Sequence, residues 1–252
     1  MKNAGPSRLE SLGTLDVPGL HRREVRIYVP PGASARSRRP TLYLFDGQNV
    51  FDDAPSFAGG WRVHESLDRM AAQGFKAPLV VAIHHGGDAR IAELAPWPFG
   101  QFRAQAESFL EWIARGLIPL VDRSYPTLQE PAHRFLGGSS MGGLAALYGH
   151  LRYPEAFGGA MSMSPAYWMG GPRLFDFVSR VPKPWRTRIY IDCGALESRG
   201  QMLPLAERMF HQLGGQGWAD GERMWRPDKR GTHNERHWKR RFPKAVRFLL
   251  KR

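Results

Sequence analysis

The run from His133 to Tyr148, His-Arg-Phe-Leu-Gly-Gly-Ser-Ser-Met-Gly-Gly-Leu-Ala-Ala-Leu-Tyr, leaves the chain little choice of local fold. A short apolar segment ends in glycines, and Leu144, Leu147, Tyr148 and Leu151 then recur at helical spacing. A buried strand must therefore turn sharply into a helix at Gly138-Ser139-Ser140-Met141-Gly142, a G-x-S-x-G pattern. Without β-carbons, Gly138 and Gly142 let backbone and neighbouring elements come close enough for that turn. The side chain it projects is Ser140, the candidate nucleophile. The backbone N–H of Met141 follows at a helix N-terminus, where negative charge is favoured, and is a candidate donor to an oxyanion.

The rest of the chain alternates between two periods. Apolar or alternating runs over 24–29, 41–45, 79–83, 157–163, 188–193 and 224–225 read as strands, and helical patterns cover 61–70, 102–121, 204–213 and 238–250. The last helix is expected to be interrupted or initiated at Pro243. Glycine and proline make 86–101 a loop, and 164–186, with its aromatics among glycines and prolines, an irregular wall or lid. Such alternation predicts one α/β domain over 1–252, with a mainly parallel central sheet and helices on both faces. In such sheets, sites form where the strand carboxyl ends meet their loops.

A serine hydroxyl is a poor nucleophile until a base touches it and a third group orients that base. Sheets with this elbow supply the partners in the order serine, acid, histidine. Glu197, in Gly194-Ala195-Leu196-Glu197 just past a strand end, is the candidate acid; Asp192, inside the strand pattern, competes and reads as structural support. Of the histidines after it, His211 and His237 sit in helical patterns, whereas His233 lies in the turn Gly231-Thr232-His233-Asn234-Glu235. His233 and His237 share a helical spacing, but Glu235 is wrongly placed for H-E-x-x-H, so no metal and no cofactor is expected. A second oxyanion donor belongs in the loop after the third strand. Counting 24–29 as the second strand puts it in Gly47-Gln48, at the N–H of Gln48. His84-His85-Gly86-Gly87 is the alternative, although it follows the next strand.

Charge and composition narrow the setting. The 252 residues carry 36 Lys and Arg against 23 Asp and Glu, a formal charge of +13 that favours anionic substrates by steering. No nucleic-acid-binding motif accompanies it, so no nucleic-acid partner is expected, and a solvated basic surface explains the excess. In the closing helix Trp238, Phe242, Val246, Leu249 and Leu250 form an apolar stripe, and Lys239, Arg240, Arg241, Lys244 and Arg247 are assigned to its solvent face. The single cysteine, Cys193, excludes an intrachain disulfide and a Cys-rich zinc site, and reads as a small buried hydrophobe. No apolar run is long enough to span a bilayer and the opening residues are too polar for a secretory signal; a cytoplasmic protein is expected, without a membrane partner.

Four segments in register carry a resemblance. They are Leu44-Phe45-Asp46-Gly47-Gln48-Asn49-Val50-Phe51-Asp52, the elbow through Leu144, Ser164-Pro165-Ala166-Tyr167-Trp168, and Gly231-Thr232-His233-Asn234-Glu235 with Trp238. Together they resemble the putative-esterase family of α/β-hydrolases, the group of esterase D, enterochelin-esterase-like enzymes and feruloyl or acetyl xylan esterases. The resemblance implies the α/β-hydrolase fold and a carboxylic-ester hydrolase acting on a small-molecule ester, with Ser140 as nucleophile, His233 as base and Glu197 as acid. It also implies pocket or loop-shaping positions at Trp61, Arg90, Glu93 and Trp168. There is no room for the extra N-terminal domain of the enterochelin esterase, which points away from siderophore hydrolysis. Two rival readings are an acyltransferase of the same fold and a basic polyanion-binding protein with an idle triad.

Overall fold

The computed structural model describes residues 5–251 apart from 55 and 57. Among the described residues, eight strands form one sheet: β1 (Arg8–Leu15), β2 (Arg23–Val29), β3 (Thr41–Phe45), β4 (Leu79–Ile83), β5 (Arg134–Ser139), β6 (Gly159–Met163), β7 (Arg188–Gly194) and β8 (Arg223–Asp228). Their spatial order is β1-β2-β4-β3-β5-β6-β7-β8. The β1/β2 and β2/β4 pairs are antiparallel, and every pair from β4 to β8 is parallel. Strands β3 to β6 are buried at every residue, which is why their sequences read as continuous apolar or small-residue runs.

Helices cover both faces. On one, α1 (Val63–Ala72) and α8 (Glu235–Leu249) pack Leu67, Met70, Phe242 and Val246 against Leu42, Val80 and Met161. The opposite face carries α2 (Arg90–Leu94), α3 (Ala106–Trp112), α4 (Ile118–Ser124), α5 (Met141–Arg152), α6 (Tyr167–Arg180) and α7 (Met202–Gly215). The mainly parallel, doubly covered sheet is the expected α/β architecture. Among the described residues, no helix is long and apolar enough to cross a membrane.

Several elements depart from the sequence reading. The 164–186 segment is not an irregular wall: most of it is α6, broken where Gly171 takes φ 49° ahead of Pro172. Proline lacks an N–H and its ring crowds the carbonyl four residues back, so the helix bends there and continues. The 86–101 loop contains the short helix α2, whose Glu93 is buried against the equally buried Arg23. The long helix expected over 102–121 starts later, and between α3 and α4 it passes through a π-turn, Ile113–Leu117, just before Pro119. At the end of the chain α8 begins at Glu235, capped by the Asn234 side chain, which accepts from the His237 N–H at 3.2 Å, and it runs through Pro243 without a break.

Inside α5, His150 is fully buried. Its Nδ1 lies 3.0 Å from the Phe157 carbonyl and its Nε2 2.6 Å from the Thr187 hydroxyl, tying the helix to the entries of β6 and β7. The carbonyl can only accept, so Nδ1 carries the proton and Nε2 accepts from Thr187. Burial lowers its pKa from 6.5 to about 4. Between those values the unfolded chain takes up a proton that the native ring refuses, so stability is lost as pH falls. Urea unfolding of wild type and His150→Gln should therefore show the wild-type advantage shrinking by about 3 kcal/mol from pH 7 to pH 4. An advantage that stays constant with pH would contradict the neutral buried ring.

Candidate active site

Pairing of Leu44 with Gly137 places the carboxyl ends of β3 and β5 side by side, with β4 on one side of them and β6 on the other. This is where the strand order changes direction, and a crevice opens there in sheets of this kind. Past β5, Ser140 adopts φ 57° and ψ −120°, a conformation that a residue with a β-carbon holds only when its surroundings impose it. The surroundings do so: the Ser140 N–H donates to the Met163 carbonyl at 3.0 Å, and its own carbonyl accepts from the N–H of Ala166 at 2.9 Å. The turn closes only with glycine at 138, where a β-carbon would lie 2.8 Å from the Gly142 carbonyl carbon.

Past β3, Asp46 is left-handed at φ 55° and Gly47 fits so tightly beneath β4 that a β-carbon would sit 2.6 Å from the Ile83 nitrogen. Arg90 fixes this loop by a two-point pair to Asp46, at 2.6 Å and 2.7 Å. Gln48 is part of a short 3-10 turn, and its side-chain oxygen accepts from the His85 N–H at 3.4 Å. Among the described residues, neither the Gln48 N–H nor the Met141 N–H donates to a backbone or side-chain acceptor. The His84-His85 segment has other contacts: His84 faces Glu24 at 3.6 Å, and the His85 ring accepts from the Gly87 N–H at 2.9 Å.

Glu197 lies past β7 and is 1% exposed. Its Oε1 accepts from the Ser164 hydroxyl at 2.6 Å, from the Gly194 N–H at 2.8 Å and from Arg241 at 3.4 Å. Its Oε2 faces His233 Nδ1 at 2.9 Å. Burial pushes this carboxyl upward, but the donors from His233, Ser164 and Arg241 outweigh it and hold it below its ordinary value. The His233 ring, 32% exposed, stands edge-on to Trp238 with centroids 5.0 Å apart. Glu197 thus fixes the ring from one side and Trp238 from another. No hydrogen bond joins His233 to the Ser140 hydroxyl among the described residues.

Asp192 occupies a different position. It is fully buried within β7, accepts from the Tyr190 hydroxyl at 3.0 Å and the Ser164 N–H at 3.2 Å, and faces Arg241 at 3.2 Å. Burial raises its pKa to about 6 against the pull of Arg241, Tyr190 and the Ser164 N–H. It contacts no histidine among these partners and braces the turn that carries Ser164.

Of the expected pocket residues, Trp61 is corrected. It is 5% exposed and packs on Trp238 at 5.8 Å and Phe242 at 6.3 Å, behind the histidine rather than in front of it. Arg90 is committed to Asp46, and Glu93 to Arg23, so both act through loops. Trp168 is 49% exposed and meets Phe99 edge-on at 5.4 Å. With Ser198, Gln201, Met202 and Leu205 it lines a cavity of about 430 Å³ next to Glu197.

Two positions carry more than the sequence reading gave them. The Ser164 hydroxyl also accepts from Trp238 Nε1 at 2.9 Å and from Arg241 at 2.7 Å, which makes it the junction of Glu197, Arg241 and the Trp238 ring that packs on His233. Arg241, assigned above to the solvent face, has 7% of its side chain exposed. Helical arithmetic held the signal, since 241 lies three residues after Trp238 and four before Ala245, on the apolar stripe. The expected oxyanion loop and histidine loop also touch, through Asn49 Nδ2 and Glu235 Oε1 at 3.3 Å.

Comparisons with known proteins bear on the family and the fold. Among curated relatives, uncharacterized protein YbbA of Bacillus subtilis (strain 168) is 26% identical over 251 residues, spanning 94% of this chain and 96% of that one. The iron(III) enterobactin esterase of Dickeya dadantii is 27% identical over 150 residues, which cover 59% of this chain and 31% of that protein. Among solved structures, the enterobactin esterase of Shigella flexneri superposes with a TM-score of 0.73 at 23% identity, over 97% of this chain and 59% of that one, a likeness of fold. The chain thus spans less than two thirds of either enterobactin esterase. The sequence profile of the family described as "Putative esterase" matches residues 20–249, and the chain belongs to that family, as a carboxylic-ester hydrolase built on the α/β-hydrolase fold.

Proposed function

We propose that the protein is a serine esterase working through an acyl-enzyme on a small or medium ester, with Ser140, His233 and Glu197 as its triad. The observation that carries the reading is the His233–Glu197 pair at 2.9 Å, on the same sheet edge as a serine held in the strained elbow conformation. The Ser140 oxygen attacks the ester carbonyl while His233 Nε2 takes the hydroxyl proton; this contact closes as the substrate arrives. Negative charge gathers on the carbonyl oxygen, toward the N–H groups of Met141 and Gln48. The C–O bond to the alcohol breaks, the alcohol leaves with the proton from His233, and the acyl group stays on Ser140. Water then repeats the attack, releasing the acid and restoring the serine. Throughout, Glu197 holds the ring with Nδ1–H toward itself and stabilises the imidazolium. The exposed Trp168 and its neighbouring cavity of about 430 Å³ suit one moiety of the ester.

A fluorophosphonate probe tests the assignment directly. The folded protein is expected to take up one equivalent, with the adduct mapping to Ser140 by peptide mass spectrometry. Prior treatment should abolish p-nitrophenyl acetate hydrolysis. Hydrolysis that survives complete labelling, or labelling at another serine, would reject the triad.

A further inference from the structure

Behind the triad, on the side of the sheet away from Ser140's helix α5, a second concavity is lined mostly by cations. Arg226 at the end of β8, Lys229 and Arg230 in the turn that follows, and Arg240, Arg241 and Lys244 on α8 line a cavity of about 420 Å³, with Tyr190 and Asp228 among them. Two of the six cations are spoken for: Arg240 pairs with Asp228 at 2.5 Å, and Arg241 with Asp192 at 3.2 Å. Arg226, Lys229, Arg230 and Lys244 have no carboxylate partner among the described residues, and all four are exposed. Like charges crowded this way repel one another, and one multiply charged anion removes that repulsion.

We propose that this cavity binds a phosphate-bearing small molecule, held by Arg226, Lys229, Arg230 and Lys244. Two of these are guanidiniums, whose planar fork of donors matches phosphate oxygens, and four uncommitted charges suit a ligand of two to four negative charges better than a single carboxylate. The concavity is the size of a compact polyphosphate or a phosphorylated metabolite, not of an extended polymer groove. Arg241 links it to the first site. This side chain is 7% exposed, its Nη2 contacts Ser164 and Glu197, and its Nε has no hydrogen-bond partner among the described residues. An anion seated here lies one guanidinium away from the carboxylate that orients His233.

Inorganic pyrophosphate is the probe, titrated by calorimetry and by thermal shift at constant ionic strength. Saturable binding to wild type is expected, weakened at least tenfold in the exposed double variant Arg230→Ala/Lys244→Ala. A control double variant in the arginine-rich loop between β2 and β3, Arg36→Ala/Arg38→Ala, should bind as wild type does. Stabilisation no greater than that given by sodium chloride of equal ionic strength, or equal weakening in both double variants, would overturn the site. Tighter binding of an RNA oligonucleotide than of pyrophosphate, lost in the same Arg230/Lys244 variant, would overturn the small-molecule reading in favour of a polymer.

Discussion

Ser140→Ala should lower the turnover of p-nitrophenyl acetate by on the order of 10⁶ and leave the circular dichroism spectrum unchanged. The size of the loss follows from the triad acting as a unit: once the attacking oxygen is gone, a base and its orienting acid have nothing to activate. What survives is the residue supplied by oxyanion donors and binding, on the order of 10³–10⁴ over water. The fold should not suffer, because the elbow is held by the backbone bonds of Ser140 to Met163 and Ala166, at 3.0 Å and 2.9 Å, and alanine keeps both. Nor does alanine relax the backbone at φ 57°, since it too has a β-carbon. Measured kcat within tenfold of wild type would remove Ser140 from the mechanism.

The second large effect is on stability. Arg241→Met should cost about 3–5 kcal/mol in urea unfolding at pH 7.5, the price of leaving buried carboxylates without their cation. Asp192 and Glu197 are at most 1% exposed, and Arg241 reaches both. Methionine fills comparable volume, so lost charge rather than lost packing dominates. The loss should shrink at pH 5. Asp192 already has its pKa raised to about 6 by burial, and removal of Arg241, which pulls it down, raises it further, so the acid is neutral at the lower pH. Adding Asp192→Asn to the variant should recover part of the loss at pH 7.5 and little at pH 5. A cost under about 1 kcal/mol at pH 7.5 would mean that water reaches the cluster and the burial argument fails.

The contrast between Ser140 and Arg241 marks how far a linear reading reaches. Ser140 announces itself because its constraints are local: glycine on either side, an apolar run before and a helical pattern after. The loop positions of Glu197 and His233 were legible for a related reason, since each follows a strand end. Arg241 sits among Lys239, Arg240 and Lys244, none of which is buried, and composition hides it. Trp61 shows the converse, an aromatic near the motifs that reads as a pocket wall but is buried behind Trp238. The break in α6 was half legible: glycine and proline marked an irregularity, but the helix resumes on both sides because its apolar face has somewhere to pack.

Period and punctuation along the chain determined the parallel sheet, its two helical layers, the turn that projects Ser140, and which loops carry Glu197 and His233. Those properties depend on neighbours within a few residues, and the order of amino acids states them outright. Only the tertiary structure decided that Ser164 joins Glu197, Trp238 and Arg241, that Arg90 serves Asp46, and that four cations from β8, the turn after it and α8 share one concavity. These partners are far apart in sequence, and it is the order of strands across the sheet, with the helices packed on it, that sets the distances between them.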